Sequence, residues 1–363
     1  MRLALTAGGT GGHIIPALAV LDALRQREGL LDEVRFFGPA DRGERAPVEA
    51  RGIPFEEVPA AGVRGRGPLR LAKSSWLLAL GIAIAWRKLR SFAPDAVFST
   101  GGYASFPCSV AAKLLRRPLV VYLPDVTPGW AVRAEKRLAT RIATTTEAAL
   151  QHLPRRKTVV TGYPVRRAFF DQTRDEARAT LGIEPGDRVV VIAGASQGAR
   201  AVNRAIFEAA ESLCRQAIVF HVTGSADHER AVAVARSLQG CAGDRYRVAA
   251  FRDDLPTVML ASDLGVFRAG ASVLGEIPAA ALPSILVPGR YAGGHQRDNA
   301  RWLERAGAAV VVEEDALGSL PGLVDELLGN ASRLAGMRAA AASLARPGAA
   351  DAIADLIVQV ARR

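Results

Sequence analysis

The sequence predicts an α/β protein built from two doubly wound parallel sheets. Short apolar runs of strand type alternate with longer stretches of helical periodicity, as in parallel sheets that helices cover on both faces. This alternation runs through the chain twice, and each series opens with a strand, a glycine-rich loop and a helix. The length of 363 residues is sufficient for two domains of ordinary size.

Each series contains six predicted strands. In the first they are RLALTA (2–7), VRFFG (34–38), AVFST (96–100), LVVYL (119–123), RIATTT (141–146) and TVVTG (158–162). In the second they are RVVVIAG (188–194), AIVFHVTG (217–224), YRVAAF (246–251), LGVFRAG (264–270), SILVPG (284–289) and AAVVVEE (308–314). Gly162 and Pro164 lie between the two series and predict a hinge, so we place the domain boundary at 163/164.

Positive charge is concentrated in the first half of the chain. The net charge is +11, and residues 1–165 carry 24 Lys and Arg against 13 Asp and Glu, whereas the rest carry 23 of each. This asymmetry favours an anionic partner for the first domain, although an arginine-rich composition alone would give the same charge. The basic half has no recognisable nucleic-acid-binding motif, which argues against a nucleic-acid partner.

The three cysteines and five histidines give no sign of a disulfide framework or a metal site. No two cysteines form a C-x-x-C pair, and no histidine has the spacing of a metal ligand. The cysteine pattern favours a reducing compartment. Glycines interrupt the N-terminal apolar run at once, so we predict no signal peptide.

The segment WLLALGIAIAW (76–86) is apolar and has basic residues on both sides. Eleven residues form about 16 Å of helix, which is too short for the roughly 30 Å hydrocarbon core of a bilayer. Two interpretations stay open: an apolar face that rests in an anionic membrane interface, and an ordinary buried helix. The residues predicted to touch the membrane are Trp76, Leu77, Leu80, Ile84, Arg87 and Lys88.

The first glycine loop, GGTGGH (8–13), follows the first strand. It is not a P-loop because no G-K-[ST] follows, and it departs from G-x-G-x-x-G because position 14 is isoleucine. The second strand ends without the acidic residue that a dinucleotide ribose requires, so NAD and FAD are disfavoured. Such a loop can still offer backbone N–H groups to an anion. His13 begins the next helix and is a catalytic candidate, with helix capping or packing as the alternative.

Two further glycine loops follow predicted strands, STGGYASFP (99–107) and AGASQGARAVN (193–203). Ser196 in the second of these loops suits a phosphate oxygen. In the stretch 267–289, residues 270–272 predict a helix N-terminus, and Glu276 lies where it could accept hydrogen bonds from a ribose, unless it is simply a solvated helix glutamate. Gln296 and Asn299 have helical spacing and are of the neutral, multidentate type that binds sugars.

Five motifs in this order resemble those of the MurG family of cell-wall N-acetylglucosaminyltransferases, over nearly the full length. They are GGTGGH with Pro16, GGYASFP, GASQGA, RAGAS…GE and HQRDNA. The resemblance implies the GT-B fold: two Rossmann-like domains facing across a cleft, 1–163 and 164–340, and a C-terminal helix within 341–363 that returns to the first domain. It also implies inverting transfer of GlcNAc from UDP-GlcNAc to the MurNAc 4-hydroxyl of lipid I, undecaprenyl-pyrophosphoryl-MurNAc-pentapeptide, to form lipid II. The enzyme would lie peripherally on the anionic cytoplasmic face of the cell membrane, and cell-wall synthesis proteins are further candidate partners.

The resemblance assigns roles to individual residues. Glu276 would hold the UDP ribose, and Phe251, Arg252 and Arg166 would border the uracil. The residues around the diphosphate would be Ser196, Ala271, Ser272 and Gln296. Further residues on the donor side would be Thr10, Gly11, Gly12, Arg268 and Gly270. Gln296 and Arg297 would lie near the donor sugar. On the acceptor side the residues are Gly12, His13, Gly102 and Tyr103.

One segment departs from the family pattern. After the fourth strand the family usually carries His-Glu-Gln-Asn, whereas this chain has Tyr122-Leu123-Pro124-Asp125. Two candidates for the general base follow: His13 first, because an imidazole exchanges protons near neutral pH, and Asp125 second. The departure also keeps two alternatives open, a GT-B glycosyltransferase with another lipid acceptor and a non-catalytic scaffold that binds UDP-sugar.

No D-x-D motif is present, so we predict transfer without a metal or other cofactor, with oriented backbone amides stabilising the leaving diphosphate.

Overall fold

The computed structural model describes residues 1–8, 11–40, 44–62, 68–194, 199–238, 244–289 and 294–362, and the side chains of residues 68–73 lie outside that description. The chain forms two compact units. Unit 1 comprises Met1–Val165 together with Gly348–Arg363, and unit 2 comprises Arg166–Pro347.

Unit 1 contains a parallel sheet of seven strands in the order β3-β2-β1-β4-β5-β6-β7. The strands are β1 (Arg2–Thr6), β2 (Glu33–Gly38), β3 (Phe55–Glu57), β4 (Ala96–Ser99), β5 (Leu119–Leu123), β6 (Arg141–Thr144) and β7 (Thr158–Val160). The helices are α1 (Gly11–Arg25), α2 (Arg45–Glu49), α3 (Pro68–Phe92), α4 (Phe106–Leu114) and α5 (Trp130–Leu138).

Unit 2 repeats this plan in a parallel sheet of six strands, ordered β10-β9-β8-β11-β12-β13. The strands are β8 (Val189–Ala193), β9 (Ile218–Val222), β10 (Tyr246–Ala249), β11 (Leu264–Arg268), β12 (Ser284–Val287) and β13 (Ala309–Val311). The helices are α6 (Arg174–Thr180), α7 (Arg200–Gln216), α8 (His228–Ser237), α9 (Leu255–Ala261), α10 (Val273–Ala279), α11 (His295–Arg305), α12 (Leu320–Gly329) and α13 (Ala331–Ser343).

Both sheets have the order 3-2-1-4-5-6, with one further strand in unit 1. In each sheet the second and third strands extend to one side of the first strand, and the fourth strand is added on its other side. β4 therefore pairs with β1, and β11 pairs with β8. In doubly wound folds ligands bind outside the carboxyl ends of the strands at this switch point. The topology therefore directs attention to the loops that follow these four strands.

The cores lie between sheets and helices, because buried parallel strands are apolar on both faces. In unit 1, Val97 and Val121 pack with Leu89 of α3 and Ala111 of α4. In unit 2, Val190 and Val266 pack with Ile206 of α7, and α12 covers the same cluster. Each unit thus has a core of its own.

All twelve predicted strands are present, and one more, β3, was not predicted. Its sequence is Phe55-Glu56-Glu57, which pairs only with β2 at the edge of the sheet. Two of its three residues are charged. An edge strand does not require a continuous apolar run, so no strand signal was visible in the sequence here. Glu56 is further held by ion pairs with Arg35 at 3.2 Å and Lys88 at 2.7 Å.

The last helix, α14 (Ala349–Ala361), belongs to unit 1. It packs against α1 and against β4, β5 and β6, and Arg27, just beyond the end of α1, forms an ion pair with Asp355 at 2.6 Å. The returning segment begins at Gly348 rather than at residue 341, because α13 continues to Ser343 within unit 2.

Candidate active site

In unit 1 the glycine loops after β1 and β4 pack directly against each other. Gly101 and Gly102 have φ values of +80° and +88°, which favour glycine. A Cβ at Gly102 would lie 2.5 Å from the Cα of Gly8, and a Cβ at Gly8 would lie 2.8 Å from the Cα of Gly102. Only glycine fits at this crossing, so the close approach of the two backbones requires glycine at positions 8 and 102.

His13 is held between these loops. Its Nδ1 lies 2.8 Å from the carbonyl oxygen of Thr100, and the Thr100 hydroxyl donates to the carbonyl of His13, also at 2.8 Å. A carbonyl can only accept, so Nδ1 carries a hydrogen and, in the neutral ring, Nε2 carries the lone pair. The half-buried ring therefore keeps one nitrogen for proton transfer.

Gly12 shows how the helix that carries His13 is joined to the rest of unit 1. Pro16 lies inside α1 and has no N–H to donate to the carbonyl of Gly12, four residues earlier. The Tyr163 hydroxyl donates to that carbonyl instead, at 3.3 Å. Thr10 lies outside the described residues, and Gly11 is described only as the first residue of α1.

The segment that departs from the family pattern has two different environments. Tyr122 is fully buried, and its hydroxyl lies 2.7 Å from Thr145 Oγ1. Leu123 is 1% exposed and belongs to the core. Asp125 is half-buried just beyond the carboxyl end of β5. Strand β5 is two positions from β1 in the sheet, so the two strands are about 10 Å apart. Within this segment Asp125 has the exposure needed for chemistry, and Tyr122 and Leu123 do not.

Glu135 was not predicted from the sequence; it is a fully buried carboxyl of α5 beneath the loop after β4. It accepts hydrogen bonds from the hydroxyls of Ser109 at 2.7 Å, Ser105 at 2.8 Å and Ser99 at 3.3 Å. Burial raises the pKa of Glu135 to about 7, and the three serine hydrogen bonds lower it in part. The segment WAVRAEKRL suggests a solvated helix charge, so the sequence offered no signal beyond the serines of the preceding motif.

Tyr103 follows Gly102 on the same loop and is half-buried. Its ring lies 4.0 Å from the place that a Cβ at Gly62 would occupy. The predicted acceptor-side residues therefore all lie at the switch point of unit 1: Gly12 and His13 in the first turn of α1, and Gly102 and Tyr103 on the loop after β4.

In unit 2 the loop after β8 begins at Gly194. A Cβ there would lie 2.6 Å from the Cβ of Ala199, so the two ends of the loop touch. Ser196, which we predicted at the diphosphate, lies outside the described residues.

Arg166 and Glu276 act on each other electrostatically in unit 2. Burial raises the pKa of the half-buried Glu276 carboxyl, whereas Arg166 and a hydrogen bond with Ser272 lower it. Arg166 Nη1 donates to the carbonyl of Asp253 at 2.9 Å, and its Nε is buried with no hydrogen-bond partner within the described residues. A buried donor of this kind is suited to a ligand oxygen. Gly270 and Ala271 precede Ser272 at the carboxyl end of β11.

Phe251 and Arg252 lie beside Arg166 after β10. Phe251 is 63% exposed, which is unusual for a large apolar ring. Arg252 forms a bidentate pair with Asp254, at 2.8 and 2.5 Å, and its guanidinium lies 5.2 Å from the centre of the Phe220 ring. An exposed ring next to fixed arginines is a surface on which a base could stack.

Arg268 and Gln296 meet at the ends of β11 and β12. Arg268 is half-buried and forms an ion pair with Glu314, and the Gln296 side-chain oxygen accepts from the N–H of Gly289 at 2.8 Å. The amide nitrogen of Gln296 supplies two further donors. Arg297 is engaged by Glu313 in a bidentate pair, at 2.9 and 3.1 Å. Asn299 Nδ2 donates to the Ala269 carbonyl at 3.2 Å inside the core, so this residue is structural.

Helix α3 has one buried face and one exposed face. Leu78, Ala85 and Leu89 face the core, whereas Trp76 is 69% exposed and Leu80 is 41% exposed. Arg87 lies on the exposed face as well. The other predicted membrane residues lie at the border between the faces: Leu77 and Ile84 are half-buried, and Lys88 is paired with Glu56. Over the part of the chain that is described, no helix combines the length and apolarity needed to cross a membrane.

No group of three His, Cys, Asp or Glu residues within the described ranges is arranged to hold a metal ion.

The fold defines an α/β protein of two doubly wound parallel sheets, with candidate binding residues outside the carboxyl ends of the strands at each switch point. Comparison with known proteins specifies this class further. The model of the glycosyltransferase family 28 N-terminal domain matches residues 3–144, and that of the family 28 C-terminal domain matches residues 188–356. The chain belongs to glycosyltransferase family 28.

Its relatives match over the full length. A protein of Moorella thermoacetica is 38% identical over 99% of both chains, and one of Symbiobacterium thermophilum is 37% identical over 100% of this chain and 97% of the relative. Both are named UDP-N-acetylglucosamine–N-acetylmuramyl-(pentapeptide) pyrophosphoryl-undecaprenol N-acetylglucosamine transferase. The crystal structure of MurG from Acinetobacter baumannii superposes with a TM-score of 0.75 at 24% identity, covering 99% of each chain. The predicted GT-B-type pair of parallel-sheet domains is confirmed.

Proposed function

We propose that this protein transfers GlcNAc from UDP-GlcNAc to the MurNAc 4-hydroxyl of lipid I to form lipid II. The observation that carries the proposal is the full-length match to transferases of this name at 38% identity. The loops at the two switch points are its structural support.

In this reaction the acceptor 4-hydroxyl attacks the anomeric carbon of GlcNAc. The new glycosidic C–O bond forms as the bond to the β-phosphate breaks, and UDP leaves with the electron pair. The hydroxyl proton passes to Nε2 of His13, whose Nδ1–H is already engaged by Thr100. Attack opposite the leaving group inverts the anomeric centre.

On the donor side, Glu276 accepts hydrogen bonds from the ribose and Phe251 stacks with the uracil, beside Arg166 and Arg252. Arg166, through Nε, and Gln296, through its side-chain amide, donate hydrogen bonds to oxygens of the nucleotide sugar. The residues at 270–272, with Arg268 at the end of β11, surround the diphosphate. Preorganised donors of this kind stabilise the charge that develops on the leaving group.

The experiment is transfer of radiolabelled GlcNAc from UDP-GlcNAc to a lipid I analogue in the presence of EDTA. We expect lipid II to form at the same rate with and without the chelator. Hydrolysis of UDP-GlcNAc, or transfer to another lipid but not to lipid I, would contradict the proposal. A protein that binds UDP-GlcNAc but transfers it to nothing would support the non-catalytic scaffold.

The lipid acceptor also implies attachment to the cytoplasmic membrane surface. The exposed side chains of Trp76 and Leu80, with Arg87 two to three turns further along the exposed side of α3, support this. We expect Trp76→Ser and Leu80→Ser each to weaken sedimentation with phosphatidylglycerol vesicles by about tenfold. Leu114→Ser is the matched control, since Leu114 is a 63% exposed leucine of α4 in the same unit. Equal losses in all three variants would contradict attachment through α3.

A further inference from the structure

A carboxyl that is buried without a paired cation destabilises the folded protein, so its presence requires an explanation. Glu135 is fully buried, and the groups that face it are the hydroxyls of Ser99, Ser105 and Ser109 and the thiol of Cys108. No charged side chain among the described residues pairs with it. Burying an ionised carboxylate in this way is unfavourable by several kcal/mol, and a leucine of similar size would pack there without that penalty.

The three serines tie Glu135 to both ends of the loop after β4. Ser99 ends β4, and its Oγ also accepts from the N–H of Gly101 at 3.1 Å. Ser105 begins the turn into α4, and its hydroxyl lies 2.8 Å both from Glu135 Oε1 and from the carbonyl of Gly102. A hydroxyl has one hydrogen, so the Ser105 proton goes either to the carboxyl or to the loop.

The same loop holds His13. Thr100 lies between Ser99 and Gly101, and its carbonyl receives the Nδ1–H of His13. Gly102 lies against Gly8, and a Cβ at Gly8 would also lie 3.1 Å from Cδ2 of the His13 ring. A shift of the loop therefore moves the partner and the packing of the imidazole together.

We infer that Glu135 is a positioning residue, whose buried carboxyl fixes residues 99–105 and, through Thr100, fixes the tautomer and orientation of His13. This role rests on the proposed function, in which His13 takes the acceptor proton. Glu135 touches no substrate; it acts through the two ends of the loop.

The test compares Glu135→Leu and Glu135→Gln with wild type and with Leu138→Ala. Leu138 lies on the next turn of α5 and packs against the core of unit 1, and its apolar side chain makes no hydrogen bond to the loop, so its variant reports the effect of loosened packing. The assay measures kcat and KM for UDP-GlcNAc with a lipid I analogue. In parallel, ¹⁵N NMR of the histidine ring, assigned with His13→Ala, reports which nitrogen carries the hydrogen.

We expect Glu135→Leu to fold and to lower kcat by about tenfold or more, while KM for UDP-GlcNAc changes by less than about twofold, because the residues proposed to hold the ribose, the uracil and the diphosphate belong to unit 2. Its His13 spectrum should show a mixture of the two tautomers. Glu135→Gln keeps a carbonyl oxygen for the serine hydroxyls, so it should retain the Nδ1–H tautomer and at least about a third of kcat.

A Glu135→Leu protein with the wild-type ring spectrum, or with no larger loss of kcat than Leu138→Ala, would overturn the inference. If Glu135→Leu does not fold, Glu135→Gln decides it: a mixed tautomer in that variant would refute positioning by the carbonyl oxygen. The NMR measurement needs no turnover. A wild-type enzyme without transfer activity would therefore refute the proposed function and leave the positioning to be judged by the ring spectra.

Discussion

At the scale of single residues, we propose His13 as the general base because its surroundings leave one ring nitrogen available. The Thr100 carbonyl occupies Nδ1, and Asp125 lies two strands away at the same edge of the sheet. We expect His13→Gln to lower kcat by about 10²-fold or more, the usual contribution of a general base, with KM for UDP-GlcNAc nearly unchanged. His152→Gln, a histidine of the same unit outside the loops, should behave as wild type in the same steady-state assay. A His13→Gln enzyme with more than about half of the wild-type kcat would point to Asp125 as the base.

Glu135 makes a second prediction at this scale, on the pH dependence of stability. Its pKa in the folded protein is raised to about 7, from an ordinary value of 4.5, by burial. The folded state therefore keeps a proton that the unfolded state releases, and the stability from this group is fully present below about pH 4.5 and lost as pH rises through 7. The difference in pKa corresponds to roughly 3 kcal/mol in the free energy of unfolding.

Urea unfolding at about pH 5, 6.5 and 8 measures this effect. Glu135→Gln cannot titrate, so its stability relative to wild type should rise with pH over this range. Glu28→Gln, an exposed change in the same unit, should keep a constant difference from wild type. A pH-independent difference for Glu135→Gln would mean that the carboxyl does not titrate in this window.

At the scale of elements, the crossing of the two glycine loops is a tightly constrained contact of unit 1. Gly102→Ala would put a Cβ 2.5 Å from a backbone atom of Gly8, at a φ of +88°. Gly29 also has a positive φ, +67°, but nothing lies within 4 Å of the position that a Cβ would occupy there. Gly29→Ala therefore isolates the backbone strain, about 1–2 kcal/mol.

We expect Gly102→Ala to destabilise the protein by at least about 2 kcal/mol more than Gly29→Ala, and to lower kcat by about tenfold or more since the loop carries the partner of His13. Thermal unfolding and steady-state kinetics on the two variants measure both effects. Equal stability and activity in the two variants would show that the loop yields without disturbing the site.

The elements also explain what the sequence could predict. Buried parallel strands are continuous apolar runs, so twelve strands and the glycine loops that follow them were predictable, whereas the charged edge strand β3 was not. Glu135 could not be found, because three serines from separate positions meet it only after folding. Tyr122 looked like part of a substituted functional motif, yet its side chain is fully buried, with its hydroxyl 2.7 Å from Thr145 Oγ1. A residue pattern locates a site well where it encodes backbone conformation, and poorly where it depends on tertiary neighbours.

At the scale of the whole molecule, the chain is two structural units, and unit 1 is completed by a helix from the far end of the sequence. Ile353 and Ile357 of α14 are fully buried in unit 1, and the ion pair between Arg27 and Asp355 lies at the surface. Surface ion pairs contribute about 0–1 kcal/mol, whereas each buried isoleucine contributes several times more. Apolar burial therefore holds α14 in place.

The two units should respond separately to core mutations. Ile357→Ala should cost about 2–5 kcal/mol and raise amide exchange in β1, β4 and β5 while β8 and β11 keep their protection, since each unit has its own core. Ile285→Ala, an equally buried isoleucine of unit 2, should do the reverse, and Asp355→Asn should change little. Hydrogen exchange with mass spectrometry resolves these peptides within one sample. If Ile357→Ala lowered protection equally in both sheets, the two units would unfold as one. The boundary at Val165/Arg166 would then separate two sets of contacts but not two independently stable units.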